Sequence, residues 1–388
     1  MKILLVVPDT HLGGGITASV VNFSNELVSR GHTVCLLDMS GKHQCADRLN
    51  GAVTTLSLQG ISTRWNVRAE DLSSVRGIKK LALLSLGAIK KLTIRSGAWY
   101  RLIFSKFNRG EAFDVAVAFR QCDSCYSFVR YKVNAKKKLG FVHGELAHMG
   151  DISSWKKHMT SFDKIAYVSS AVKDGFIKAY PELAANACTV YNTFNVEQIK
   201  ALSAEPCDLA FDQSKVNIVT VARIDNAFKQ VHWIVDICER LKQATSTPFH
   251  WYVVGDGPDF HETVALSRDR GTDDVLTFVG RKKNPFSYVR QSDFTVLTSK
   301  SEAYPMVIPE SFILKKPIVV ASFPAITEMM EDGKQGLIAE QSVESLTDRV
   351  ARMIENRDGI RTASEAQLLA TETTNDLAYE QFLAAVTQ

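Results

Sequence analysis

Phe294-Thr295-Val296-Leu297-Thr298-Ser299-Lys300-Ser301-Glu302-Ala303-Tyr304-Pro305-Met306-Val307-Ile308-Pro309-Glu310 is the stretch that decides the fold. Its first five residues form a short apolar run bounded by polar ones, which predicts a buried strand. The segment beginning at Pro309-Glu310 predicts a short helix, because proline suits a first helical turn. Ile318-Val319-Val320-Ala321 predicts the next buried strand. Glu302 then lies on the loop leaving a strand and Glu310 at the start of the following helix. In an open parallel sheet, ligands bind outside the carboxyl ends of the strands. Taken alone, Glu310 could equally complement a helix dipole, and Glu302 could be a solvated loop charge.

Three upstream runs repeat the pattern. Val216-Asn217-Ile218-Val219-Thr220-Val221-Ala222 ends in Arg223, with Lys229 six residues on. Two cations at a strand end suit a diphosphate: arginine offers a planar fork and lysine a point charge. Phe249-His250-Trp251-Tyr252-Val253-Val254 leads into Gly255-Asp256-Gly257-Pro258, where glycines let a backbone approach a ligand closely. Leu276-Thr277-Phe278-Val279-Gly280 is followed by Arg281.

The order Val221-Ala222-Arg223 with Lys229, Val253 to Pro258, Phe278-Val279-Gly280, and Ser301-Glu302-x-x-Pro305 with Glu310 resembles the C-terminal half of the retaining GT-B glycosyltransferases of family GT4, of the bacterial surface-polysaccharide type. The resemblance extends over most of the chain and its motifs are strongest between Val216 and Ile338. It implies two doubly wound, Rossmann-like α/β domains facing across a cleft. It further implies transfer of a hexose from a nucleoside diphosphate sugar, UDP-linked, with retention at the anomeric carbon. In that reading Arg223, Lys229 and the backbone around Tyr304, Pro305, Met306 and Val307 hold the leaving diphosphate. Glu302 holds sugar hydroxyls and Glu310 the ribose; Gly255, Gly257, Gly280 and Arg281 complete the donor site. The leaving phosphate itself takes the acceptor's proton. One departure stands out: the position after Glu302, commonly glycine, is Ala303, where a glycine-only conformation would be strained.

In the N-terminal half, Met1-Lys2-Ile3-Leu4-Leu5-Val6-Val7-Pro8 is too continuously apolar for a half-exposed strand. Gly13-Gly14-Gly15 opens a helix-spaced run to Leu27, and Thr33-Val34-Cys35-Leu36-Leu37 is the next strand. This βαβ unit turns backbone N–H groups outward at its glycine loop. It lacks the G-x-G-x-x-G spacing of a dinucleotide fingerprint. The resemblance places Gly14 and Gly15 at the donor phosphates or the acceptor. Leu139-Gly140-Phe141-Val142 leads to His143, which reads either as a hydrogen-bonded core histidine or, by the resemblance, as the residue reaching the transferred sugar. Asn192 reads as a turn residue.

With 388 residues, 45% of them hydrophobic, the chain has room for two cores. The expected domains are 1–195, 196–373 and a C-terminal helix, 374–388, returning to the first. No D-x-D is present to hold a cation on the diphosphate, so no metal or other cofactor is expected. Seven scattered cysteines and a core strand starting at Met1-Lys2 suggest a reducing cytoplasm, with Cys122-Asp123-Ser124-Cys125 structural. Net charge is only +4, yet residues 76–109 hold nine Lys and Arg among Leu, Ile, Phe and Trp, with no acid between Asp71 and Glu111. That pattern suits the surface of an anionic membrane, hence a lipid-linked or glycan acceptor, although two ordinary helices with solvated lysines would look the same. No nucleic-acid module accompanies the charge. A nucleotide-sugar epimerase and a non-catalytic partner subunit remain alternatives.

Overall fold

A computed structural model describes residues 1–10, 15–57, 111–356 and 369–387. Gly14 and the basic segment 76–109 lie outside the described residues. Contacts divide the chain into two compact units. One comprises Met1–Val168, Val172–Thr193 and Ala378–Gln388, the other Ser169–Ala171 and Phe194–Leu377.

The first unit is built on a parallel sheet of β1 (Lys2–Val7), β2 (Thr33–Asp38), β3 (Thr54–Ser57), β4 (Phe113–Ala118), β5 (Ala135–Val142), β6 (Lys164–Tyr167) and β7 (Ala187–Thr189). Its order is β3-β2-β1-β4-β5-β6-β7. Ile3 to Val7 are all buried, because helices cover both faces and neither side of the strand meets water. The Gly15–Ser29 helix buries Val20, Phe23 and Leu27, an i, i+3, i+7 stripe. Phe23 meets Phe382 edge-on, ring centres 5.3 Å apart. In the Leu369–Thr387 helix Ala378, Phe382 and Ala385 share one buried face. Asn192, buried, accepts a hydrogen bond from Ser19 Oγ at 2.6 Å, so it is a packing residue of this unit.

The second unit repeats the architecture with β8 (Val216–Val221), β9 (Phe249–Val254), β10 (Leu276–Gly280), β11 (Phe294–Leu297), β12 (Ile318–Ala321) and β13 (Gly336–Ala339). The order is β10-β9-β8-β11-β12-β13, all parallel. Strand order therefore reverses between β8 and β11, the position at which doubly wound sheets open a crevice. A relay fixes the three central strands: Trp251 Nε1 donates to Thr220 Oγ1 at 3.1 Å, and Thr220 Oγ1 donates to the Val296 carbonyl at 2.8 Å. All three residues are buried, so each polar atom must find a partner inside the protein.

The short helix runs Val307–Ile313, two residues earlier than the proline suggested. Pro309 is its third residue, where the missing N–H would have had no helical acceptor in any case.

Candidate functional site at the second unit's strand switch

Arg223 and Lys229 lie on the loop after β8, and Glu302 on the loop after the neighbouring β11. The sheet thus brings the two cations and the carboxylate to the same crevice. Lys229 Nζ pairs with Glu302 Oε1, and Ser299 Oγ donates to the same oxygen at 2.8 Å. Both bonds go to Oε1, which leaves Oε2 as a further acceptor, and an ammonium has three donors to share. Lys229 and Glu302 side chains are 27% and 14% exposed, so the pair is shielded yet reachable. Arg223, by contrast, is 68% exposed, with Asp225 Oδ2 4.0 Å away.

The loops are held by contacts that sequence reading missed. Thr298 Oγ1 donates to the Lys229 carbonyl at 2.7 Å, and the Lys300 amide to the Phe228 carbonyl at 2.9 Å. Gln341 Nε2 reaches the carbonyls of Ser299, Lys300 and Ser322 at 2.9, 3.2 and 2.8 Å. Gln230, beside Lys229, has φ 48, a left-handed conformation unusual for a residue with a Cβ. No local pattern marks Gln341 or Thr298, since their partners are tens of residues away.

A Cβ on Gly255 would fall 1.8 Å from the Ala222 carbonyl oxygen, and one on Gly257 2.1 Å from that of Ile224. The close approach that requires these glycines is therefore backbone to backbone, between the loops after β8 and β9. Ala222 N donates to the Val254 carbonyl and Ile224 N to that of Asp256, at 3.2 and 3.1 Å. Gly280 has φ +76 and needs to be glycine for that reason. It ends the edge strand β10 and the exposed Arg281 follows it, two strands or about 10 Å from β8. They stand apart from the Lys229–Glu302 pair.

Ala303 is buried and is not among the residues with positive φ, so the alanine carries no strain. Tyr304 and Met306 pack against Phe194, Ile199 and Ile313. Pro305 is buried and Val307 half-buried, so the Tyr304–Val307 segment is anchored by its side chains. Glu310 is half-buried in the first turn of the Val307–Ile313 helix, its amide bonded to the Met306 carbonyl at 3.1 Å.

In the first unit, His143 follows β5, half-buried, its ring centre 4.8 Å from that of Phe119 and stacked on Phe141 at 5.5 Å. Its amide donates to Gln121 Oε1 at 3.1 Å, while its Nε2 is buried without a hydrogen-bond partner. Burial pushes the imidazole down to about 4, with Arg120 adding to the effect and a hydrogen bond to the Phe119 backbone opposing it. His143 is accordingly neutral near pH 7. Gly15 begins its helix, and a Cβ there would meet nothing within 4 Å. At the end of β2, Asp38 is filled by Thr10, Ser40 and His43, so the acid that binds ribose in dinucleotide folds is occupied by its own loop.

Residues 215–356 match the family model for glycosyl transferases group 1. That stretch contains Arg223, Lys229, Glu302 and Glu310. Among curated proteins, N-acetyl-alpha-D-glucosaminyl L-malate synthase of Bacillus anthracis is 23% identical over 157 residues, 40% of this chain and 39% of that one. The chain thus matches about two fifths of that relative's length. Two solved structures align over nearly all of both chains. S. aureus TarM, in complex with fondaparinux, alpha-GlcNAc-glycerol and UDP, has a TM-score of 0.73 at 12% identity, covering 100% of each. Anabaena HepE, in complex with UDP and glucose, has a TM-score of 0.68 at 16% identity, covering 99% of this chain and 100% of that one. Likeness at such identities establishes the fold: two Rossmann-like units, the GT-B architecture. Among the described residues no cluster of three His, Cys, Asp or Glu suits a metal ion, and no helix is long and apolar enough to cross a membrane.

Proposed function

We propose that this chain is a retaining glycosyltransferase that moves a hexose from a nucleoside diphosphate sugar, UDP-linked, to a lipid-linked or glycan acceptor in surface-polysaccharide synthesis. The observation that carries the proposal is the Lys229–Glu302 pair at the β8/β11 switch, with Arg223 exposed on the same loop as Lys229. The glycosyl transferases group 1 match across this same region supports it, as do the UDP-bound TarM and HepE structures.

Breaking the anomeric C–O bond builds negative charge on the leaving diphosphate. Preorganised cations at that point stabilise the transition state more than the ground state. Arg223 and Lys229 take that role, with the Tyr304–Val307 backbone alongside. Glu302, oriented by Ser299 and Lys229, turns Oε2 to the sugar hydroxyls; Glu310 takes the ribose. Gly280 and Arg281, farther along the sheet, suit the base end of an elongated donor. His143, assigned to the transferred sugar by resemblance, acts as a neutral hydrogen-bonding group, and Gly14 and Gly15 are assigned, also by resemblance, to the donor phosphates or the acceptor. Retention follows if the leaving phosphate accepts the acceptor's proton on the same face.

Thermal-shift measurements against UDP-, GDP-, dTDP- and ADP-sugars test the donor. A UDP-sugar should raise the Tm most, and turnover should persist in excess EDTA after dialysis. Product analysis with donor alone separates transfer from epimerisation, since an isomerised sugar still on its nucleotide would identify an epimerase. Stabilisation by no nucleotide sugar would refute the reading altogether.

A further inference from the structure

The first unit carries a second reactive cluster, which glycosyl transfer does not use. Cys122 is the N-cap of the Asp123–Lys132 helix and is half-buried, while Cys125, one turn on, is fully buried. Both are free thiols. The Cys122 sulfur lies 3.3 Å from Ser124 Oγ, at the open end of the helix. A C-x-x-C whose first cysteine caps a helix and whose second lies in its first turn is the arrangement in which a thiolate is stabilised and a disulfide can close within one turn.

We propose that Cys122 and Cys125 form a reversible thiol–disulfide pair, a modification site beside the loop that carries His143. The donors around Cys122 and the nearby Arg120 guanidinium hold its thiol down at about 6, whereas burial raises the Cys125 thiol well above its ordinary value. Cys122 is thus the attacking sulfur and Cys125 the resolving one. The oxidant is a low-molecular-weight disulfide. Cys122 thiolate attacks one of its sulfurs, forming a mixed disulfide and releasing one thiolate. Cys125 then gives up its proton and attacks Cys122 Sγ, closing the Cys122–Cys125 bond and expelling the second thiolate. Two protein thiols are oxidised by two electrons and one small disulfide is reduced to two thiols, which take up the two protons.

The position gives the chemistry a readout in the protein. Gln121, adjacent to Cys122, holds the His143 amide, and Phe119 two residues earlier packs on the His143 ring. Closing the disulfide swings Cys122 Sγ toward Cys125 and so shifts the adjacent Gln121 end of that hydrogen bond. The consequence for turnover rests on the proposed glycosyl transfer; the thiol chemistry does not.

The test uses the full chain, reduced and then treated with oxidised glutathione, with alkylation by iodoacetamide and peptide mass spectrometry. Before oxidation, at about pH 6.5, below the usual thiol value of roughly 8.5, Cys122 should be alkylated first among the seven cysteines. After oxidation, a peptide linked through Cys122 and Cys125 should appear, revert with dithiothreitol, and be absent from Cys122→Ser. The Cys122→Ser change, at a half-buried site, spares the core even if Cys125 variants fail to fold. Alkylation of Cys122 no faster than the half-buried Cys207, or a glutathione adduct that never resolves onto Cys125, would overturn the proposal. In ¹⁵N spectra the His143 amide should move on oxidation of the wild type and not of Cys122→Ser. An unmoved His143 resonance in a fully oxidised sample would sever the link to that loop.

Discussion

If the Lys229–Glu302 pair serves two ends of one donor, as proposed, substitutions at the two residues should differ in kind. Charge on a diphosphate grows as the glycosidic bond breaks, so Arg223→Ala or Lys229→Ala should lower kcat by about 10²-fold or more, the cost of one lost oxyanion donor. Lys229→Ala also leaves Glu302 half-buried with its charge uncompensated and Ser299 Oγ still donating to it, so its effect should exceed that of the exposed Arg223. Glu310→Gln should chiefly raise donor KM and weaken nucleoside diphosphate binding, because the proposed ribose bonds would be made in ground and transition states alike. Calorimetry with UDP beside initial-rate kinetics separates the cases. Glu310→Gln binding UDP like wild type while Glu302→Gln does not would reverse the two assignments. His143 supplies a prediction in pH. Its folded value of about 4 lies below the roughly 6.5 of an unfolded histidine, so between those limits the unfolded chain binds more protons. Its contribution to stability is therefore complete above about pH 6.5 and is lost as pH falls toward 4. Imidazole resonances followed by NMR should show His143 still neutral at about pH 5.5; protonation there would contradict the burial that sets the shift.

At the scale of elements, the strands were legible because each is a short, continuous apolar run, which only a sheet covered on both faces produces. Glu302 and Glu310 were legible for the same reason, as polar residues placed at the ends of such runs. What the sequence could not disclose is how the loops are tied. Gln341 reaches three carbonyls from beyond β13, and Thr298 bonds the carbonyl of a residue on another loop. The helix start two residues early has a similar cause, since proline marks a first turn without saying which of its positions it fills. In sequence Gly255 and Gly257 suit a close ligand, and the structure supplies a nearer reason in the chain itself. Gly255→Ala or Gly257→Ala must displace the backbone of Ala222 or Ile224, which flank Arg223. Either should cost about 1–3 kcal/mol, as overpacking does, and reduce turnover together with stability. Gly175→Ala, inside a helix with nothing within 4 Å of its new Cβ, should instead stabilise, by roughly 0.5–1 kcal/mol. Urea denaturation with equal m-values compares them; Gly255→Ala unfolding like wild type would dispose of the backbone contact as the reason for glycine.

For the whole molecule, where the proposed transfer would take place turns on charge. A net charge of +4 spread over 388 residues would exert little pull on any surface. Nine Lys and Arg confined to residues 76–109, with no acid among them and aromatic residues interleaved, exceed that total within one short stretch. Each basic residue near an anionic leaflet contributes about 1 kcal/mol, and that attraction decays within a Debye length of about 10 Å at 0.1 M salt. Buried Trp and Phe side chains would add a component that salt does not screen. Binding should therefore be strong on vesicles containing phosphatidylglycerol, weak on purely zwitterionic ones, and reduced but not abolished by raising ionic strength. Replacing Lys79, Lys80, Lys90 and Lys91 with Gln should shift the protein from the floating to the soluble fraction while leaving its response to UDP-sugars in thermal-shift measurements intact. Equal flotation on neutral and anionic vesicles, or none on either, would show that these lysines are solvated side chains of the first unit and that the acceptor is met away from a membrane.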